Sequence, residues 1–279
     1  MSSIARSEAS CVRWGFECWG GIFLKRNTHC IAVAASLMLC LQSASAADPF
    51  FSAAATPTWS GCYLGSNAGY GRAEADATDT PFRDGPLAGS GVAWNSVGGP
   101  YDQISTDDGG LTGGVEAGCD RQFDLGGAAF VLGGVIDFSL MNLGATGTSP
   151  ISSNTHATFD IDWAASARLR AGVAASNVLF FVTGGYALAN VDVGAFTNPT
   201  TPTSGDMNVS GGGTESGWVA GGGVEWRFRP DWSVGLEYLH YDFGTITATG
   251  PATFPPGAFP RFENDVSFDT VRIGLKWRM

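Results

Sequence analysis

Two histidines and two cysteines carry most of the reactive chemistry that this chain offers beyond its first 46 residues. A hydrolytic site needs a base within reach of a nucleophile, or a carboxylate that orients the base. His240 is followed by Tyr241 and Asp242, but no Ser stands two residues from it. His156 sits in a stretch read as a long loop. No nucleophile elbow, paired zinc-ligand spacing or P-loop is present. We therefore expect a non-enzymatic protein with no cofactor and no metal. Asp107-Asp108-Gly109-Gly110 has the charge for a divalent cation but not the ligand spacing of a calcium loop. The clusters Gly184-Gly185 and Gly221-Gly222-Gly223 precede no Lys-Ser/Thr pair and open no helix, so they read as close-packing positions rather than phosphate cradles.

The cysteines turn on compartment. Lys25-Arg26 precede an apolar run of 12 residues, Cys30 to Leu41, and Ala44-Ser45-Ala46 is a small-x-small cleavage site. Twelve residues fall short of the ~20 that a membrane-spanning helix needs. Residues 1–46 are therefore expected to be a leader and signal peptide, 47–58 a short linker, and 59–279 the folded domain. Of 6 cysteines, Cys62 and Cys119 remain after cleavage. In an oxidising compartment they form a bridge or stay as two small apolar thiols, and both readings stand at this stage.

The leader holds Arg6, Arg13, Lys25, Arg26, Glu8 and Glu17; without them 24 acids face 11 bases, a net charge of −13. No basic patch exists to neutralise phosphates, which argues against nucleic acid as a partner. The chain is 44% apolar yet only 15% charged, with 40 glycines and no later helical apolar run. That balance fits an all-β protein with apolar area on its outside.

The elements that position these residues are strands. Val271, Ile273, Leu275, Trp277 and Met279 alternate with Arg272, Gly274, Lys276 and Arg278. A period of two is a β-strand. One greasy face and one charged face suit a strand between lipid and lumen. Seven more segments alternate: 59–71, 111–123, 129–140, 160–172, 178–189, 217–228 and 232–243. Short gaps alternate with long ones at 72–110, 141–159, 190–216 and 244–267. This is the connectivity of an eight-stranded antiparallel up-and-down transmembrane β-barrel with four long extracellular loops. His240 then faces out near the upper strand end as an interfacial polar residue. A soluble β-sandwich is the alternative, and it would leave the charged faces in water.

The same alternation points Glu116, Asp120, Asp137, Asp162, Glu225 and Glu237 inward, with Arg168, Arg170, Arg227, Arg272, Lys276 and Arg278. A barrel of eight strands is just wide enough for side chains to fill. Buried charges must pair. The expected outcome is a cross-linked polar plug; the alternative is an ion path through a narrow channel. Cys62 and Cys119 fall on neighbouring strands, both facing out, where a cross-strand bridge is within reach. The first long gap carries Glu74, Asp76, Asp79, Asp84, Asp102, Asp107 and Asp108, read as a solvated surface. Cation binding beside an anionic lipopolysaccharide layer is the sharper alternative.

These residues resemble a known group. Trp59–Gly71 (WSGCYLGSNAGYG), Gly113–Asp120 (GGVEAGCD) and Asp162–Gly172 (DWAASARLRAG) are similar to the first, second and fourth strands of the small outer-membrane β-barrel proteins of α-proteobacteria. These are immunogenic 25–31 kDa surface proteins, often labelled porin-family. Val182–Tyr186 (VTGGY) and Leu236–Gly244 (LEYLHYDFG) resemble the fifth and seventh strands. The resemblance covers about residues 57–279. It implies an outer-membrane protein that supports envelope integrity and surface contact. Its partners would be outer-membrane lipid and lipopolysaccharide, the barrel-insertion machinery, and a surface ligand that the sequence does not name. The family usually ends in Phe as an insertion signal, whereas here Val271, Ile273, Leu275, Trp277 and Met279 form the terminal face. Cys62 and Cys119 stand where the family tends to have aromatics.

Overall fold

The computed structural model describes residues 58–95, 101–198 and 205–279. The expected leader and most of the linker lie outside them. Eight strands follow in order: β1 Gly61–Thr80, β2 Gln103–Leu125, β3 Ala128–Thr148, β4 Thr155–Ala175, β5 Val178–Thr197, β6 Asn208–Arg229, β7 Trp232–Thr249 and β8 Arg261–Arg278. Each pairs antiparallel with the next, and β8 returns to β1, closing the barrel.

Three turns at one end contain two residues each, at 126–127, 176–177 and 230–231. Gly126 and Gly127 have φ of 59° and 87°, as a twist-matched hairpin turn requires. Both termini of the barrel lie at this end, which is the periplasmic one in an outer-membrane barrel. At the other end the connections are 81–102, 149–154, 198–207 and 250–260.

The strands run further than their apolar segments suggest. They are 18 to 23 residues long, whereas about 9–11 tilted residues cross a bilayer. Much of each expected loop is strand. His156, read as a loop residue, lies at the start of β4.

The extra length has reversed chemistry. On β8 the inward residues near the periplasm are Arg278, Lys276 and Arg272, and the outward ones are Trp277, Leu275, Ile273 and Val271. Beyond Thr270 the inward residues become Phe268, Val266 and Phe262, and the outward ones Asp269, Ser267, Asp265 and Glu263. β1 does the same, with Leu64 and Tyr70 outward below, then Ala73, Ala75 and Ala77 inward against Arg72, Glu74 and Asp76. The lower half is an inside-out barrel suited to lipid. The upper half has a water-type core, in which Ile104, Phe159, Val191, Phe243, Phe262 and Phe268 fill the interior. Tyr70, Trp163, Tyr186, Trp218 and Tyr238 mark the outward boundary between the halves.

Candidate functional site

The lumen of the lower half holds the charge in two tiers. In the upper tier Arg168 Nη2 bonds Asp137 Oδ2 at 3.0 Å, and Arg168 Nη1 bonds Glu237 Oε1 at 2.7 Å. Arg272 grips the same two acids from β8, with Nη1 on Asp137 Oδ1 at 3.0 Å and Nη2 on Glu237 Oε2 at 2.7 Å. Ser166 Oγ donates to Asp137 as well. Two acids and two arginines thus alternate in a ring that ties β3, β4, β7 and β8 together.

Glu225 is the hub of the lower tier. It accepts from Arg170 Nη2 at 2.6 Å, Arg278 Nη2 at 2.8 Å and Ser233 Oγ at 2.7 Å, with Lys276 Nζ at 3.3 Å. Lys276 also reaches Glu116 at 3.4 Å, and Arg278 reaches Asp120 at 3.1 Å. Tyr63 supplies what the charge pattern did not announce. Its hydroxyl accepts from Arg170 at 3.1 Å, and its ring lies beneath Lys276 at 4.9 Å. Alternation between the outward Cys62 and Leu64 was the signal that places Tyr63 inside.

Trp59 forms the floor. It is fully buried, and the guanidinium carbons of Arg227 and Arg278 lie 4.4 Å and 4.8 Å from its ring centroid. Its Nε1 donates to Ser176 O at 3.3 Å, and Gln122 Oε1 accepts from its backbone N–H at 2.9 Å. Arg227 donates to Thr58 O at 2.6 Å, and among the described residues no carboxylate lies within ion-pair distance of it.

Eleven of the twelve predicted luminal residues face inward. Asp162 does not: it is exposed on the outer wall. The reason is a β-bulge. Ile161 pairs with Val191 and Trp163 with Asn190, which leaves Asp162 unpaired. Strict counting by two fails across an inserted residue. The luminal set is therefore five acids and six bases.

Above the boundary, Asp162 joins Asp160 and Asp192 on the outer wall, and Asp160 is the ladder partner of Asp192. Burial and the charges of Asp162 and Asp192 push the Asp160 carboxyl above its usual range. Asp79 and Asp102, expected in a solvated loop, are instead buried, at 0% and 2% exposure.

Cys62 and Cys119 are ladder partners on β1 and β2, and they form a disulfide with 3.9 Å between their Cα atoms. Val271, Ile273, Leu275, Trp277 and Met279 all face outward and exposed. His240 bonds Asp269 Oδ1 through Nδ1 at 2.8 Å, and Tyr238 donates to the same oxygen at 2.6 Å, on the outer face. His156 bonds Thr148 Oγ1 at 3.0 Å and stacks on Phe196. The strand glycines serve packing: a Cβ at Gly221 or Gly223 would collide with the β7 carbonyls of Tyr238 or Leu236. Among the described residues no group of three or more His, Cys, Asp or Glu could hold a metal ion.

The sequence matches the model of the outer membrane protein beta-barrel domain over residues 31–278. It is 30% identical over 250 residues to the 31 kDa outer-membrane immunogenic protein of Brucella melitensis, covering 85% of this chain and 93% of that protein. The homonymous protein of Brucella suis matches equally. Among solved structures, the chain is similar to the outer membrane protein OprG from Pseudomonas aeruginosa, with a TM-score of 0.48 and 9% identity over 79% of this chain and 97% of that one. A closed eight-stranded ring with a lipid-type outer belt, a family model spanning most of the sequence and a relative matched over nearly its full length lead to one conclusion: this chain belongs to the outer membrane β-barrel domain family and resides in the outer membrane.

Proposed function

We propose that this protein is a closed, non-enzymatic barrel that reinforces the outer membrane and presents a rigid surface for contact outside it. The observation that carries this reading is closure at three levels of one lumen. Trp59 covers the floor, the Asp137–Arg168–Glu237–Arg272 ring crosses the middle, and an apolar core fills the upper half. The void beside Asn67, Glu116 and Lys276 measures about 10 Å³, about the size of one water. A narrow channel for ions or small solutes is the alternative, and it would have to break all three closures.

The outer belt suits lipid and, at its upper boundary, lipopolysaccharide. The terminal face Val271 to Met279 suits the barrel-insertion machinery. The upper outer wall, with Glu74, Asp76, Asp107, Asp160, Asp162 and Asp192, suits a cationic surface ligand rather than nucleic acid. His240 has its carboxylate partner, and among the described residues no nucleophile is hydrogen-bonded to it, which supports a structural role on the outer face.

Planar-bilayer recording tests the reading. The protein inserted from detergent is expected to give no ohmic steps above baseline in about 1 M KCl. Reproducible unitary conductance that changes with Arg168→Glu would replace the plug with the channel.

A further inference from the structure

Residues 82–95, in the connection between β1 and β2, fold back across the outer mouth of the barrel. Phe82 N–H donates to Val92 O at 2.9 Å, and Gly89 N–H to Phe82 O at 3.3 Å. The Phe82 side chain is buried in the same apolar cluster as Met207, Ala252, Ala258 and Phe262. This segment is a cap seated on the upper core.

What fastens the cap is a pair of buried carboxylates. Asp79, at the end of β1, accepts from Trp94 N–H at 3.1 Å and from Asn95 N–H at 2.6 Å. Asp102 stands across from it, joined by an Asp79 N–H to Asp102 O bond of 2.9 Å. Asp102 Oδ2 accepts from Asn95 Nδ2 at 2.6 Å, while its Oδ1 is buried with no partner among the described residues. Asn95 Oδ1 accepts in turn from Thr155 at the start of β4, at 3.1 Å.

No cation faces this pair among the described residues. On β8 the ladder partner of Asp79 is Phe262; alternation turns its neighbours Arg261 and Glu263 to the opposite face. Arg261 and Arg83 both pair with Glu263, at 3.0 Å and 3.4 Å. From β4 Thr155 faces the pair, while His156 turns away to stack on Phe196. Arg83 and Asp84 of the cap itself are exposed. Two neighbouring buried carboxylates without a compensating charge cannot both stay ionised cheaply.

We propose that the Asp79–Asp102 pair takes up one proton when residues 82–95 close over the barrel mouth, so that the cap tightens as the surrounding medium acidifies. Protonating one carboxyl removes the repulsion between two buried charges that share one niche, where Asp102 Oδ1 has no donor among the described residues to offset its own charge. The sign follows from linkage. Burial first, and the charge of Asp102 after it, push the Asp79 carboxyl up to about 6, although the Trp94 and Asn95 N–H groups pull it down. Opening the cap returns that carboxyl to water and to its ordinary 3.8. The closed form therefore binds the proton more tightly. Closure strengthens as pH falls through about 6, and the gain is complete below the ordinary carboxylate value.

Hydrogen exchange by mass spectrometry on the protein in lipid nanodiscs tests this, with rates corrected for the intrinsic pH dependence of exchange. Peptides covering 82–95 are expected to gain about tenfold protection between about pH 7.5 and about pH 5. Peptides from the lipid-facing halves of the strands should not change. Asp79→Asn cannot take the proton and should flatten the response. Asp102→Asn removes the neighbouring charge and should move the midpoint to lower pH. Equal protection at both pH values, or an Asp79→Asn profile that still follows pH, would overturn the proposal. So would full protection at about pH 7.5 on adding about 5 mM calcium, because the compensating charge would then be a cation. Should Asp79→Asn fail to fold, the Asp102→Asn midpoint alone decides: an unmoved midpoint sinks the idea.

Discussion

Arg168 on β4 meets Glu237 on β7 at 2.7 Å, a bond thrown across the lumen between strands that are not neighbours. Arg272 completes the ring from the other side. Such chords hold opposite walls of the barrel together in a way that the ladder does not. Arg168→Ala should leave Asp137 and Glu237 sharing Arg272 alone. Removing one partner of a buried pair typically costs about 3–5 kcal/mol. Urea unfolding in detergent, followed by tryptophan fluorescence, is the measurement; a loss below about 1 kcal/mol would show that the ring is not a stabilising element.

The luminal Asp137 on β3 and the bulged Asp162 on β4 separate cleanly. Asp137→Asn breaks two arginine pairs inside the lumen, whereas Asp162→Asn removes an exposed charge beside Asp160 and Asp192. The first should destabilise by several kcal/mol, and the second should stay within about 0.5 kcal/mol of wild type or gain slightly. Similar losses for both would place Asp162 in the lumen after all.

The disulfide closes a separation of 57 residues. Loop-closure entropy for that length is worth up to about 4 kcal/mol, as a model-dependent upper figure. Protein purified from outer membranes, unfolded without reductant, should show no reactive thiol from Cys62 or Cys119. The double variant Cys62→Ser, Cys119→Ser should unfold at lower urea with the ring intact.

The reversal of face chemistry along β8 predicts a depth profile for lysine on one and the same outer face. Ile273→Lys lies in the lipid belt and should cost about 2–4 kcal/mol in vesicles. Ser267→Lys points the same way from above the boundary, beside Asp242, and should cost nothing measurable. Val266→Lys, one residue along but inside the apolar core, should be the worst of the three. A flat profile across Ile273 and Ser267 would mean that lipid covers the whole strand.

Strand number, their up-and-down order and the orientation of nearly every charged residue in the lower half follow from a period of two, because a pleated strand sends alternate side chains to opposite faces whatever surrounds it. That is why Arg168, Glu225 and Lys276 were legible as luminal and Ile273 and Trp277 as lipid-facing. Sequence proximity to a long, polar, acidic stretch likewise announced segment 72–110 but misjudged it. Asp79 and Asp102 read as solvated because nothing local tells a buried carboxylate from an exposed one.

What only the tertiary structure decided has a common physical cause: it depends on which residues from distant strands share a level of the barrel. The bulge at Asp162 is set by pairing with β3 and β5, so local alternation could not reveal it. The apolar upper core is assembled from residues on all eight strands, including small ones such as Ala73, Ala157 and Ala195 that carry little signal alone. The partners within the charge network, and the seating of residues 82–95 over the mouth, likewise exist only once the barrel has closed. The sequence by itself determined the alternating faces and hence the barrel and its membrane; closure decided which charges meet, where the lipid-type exterior ends, and which acids are hidden from water.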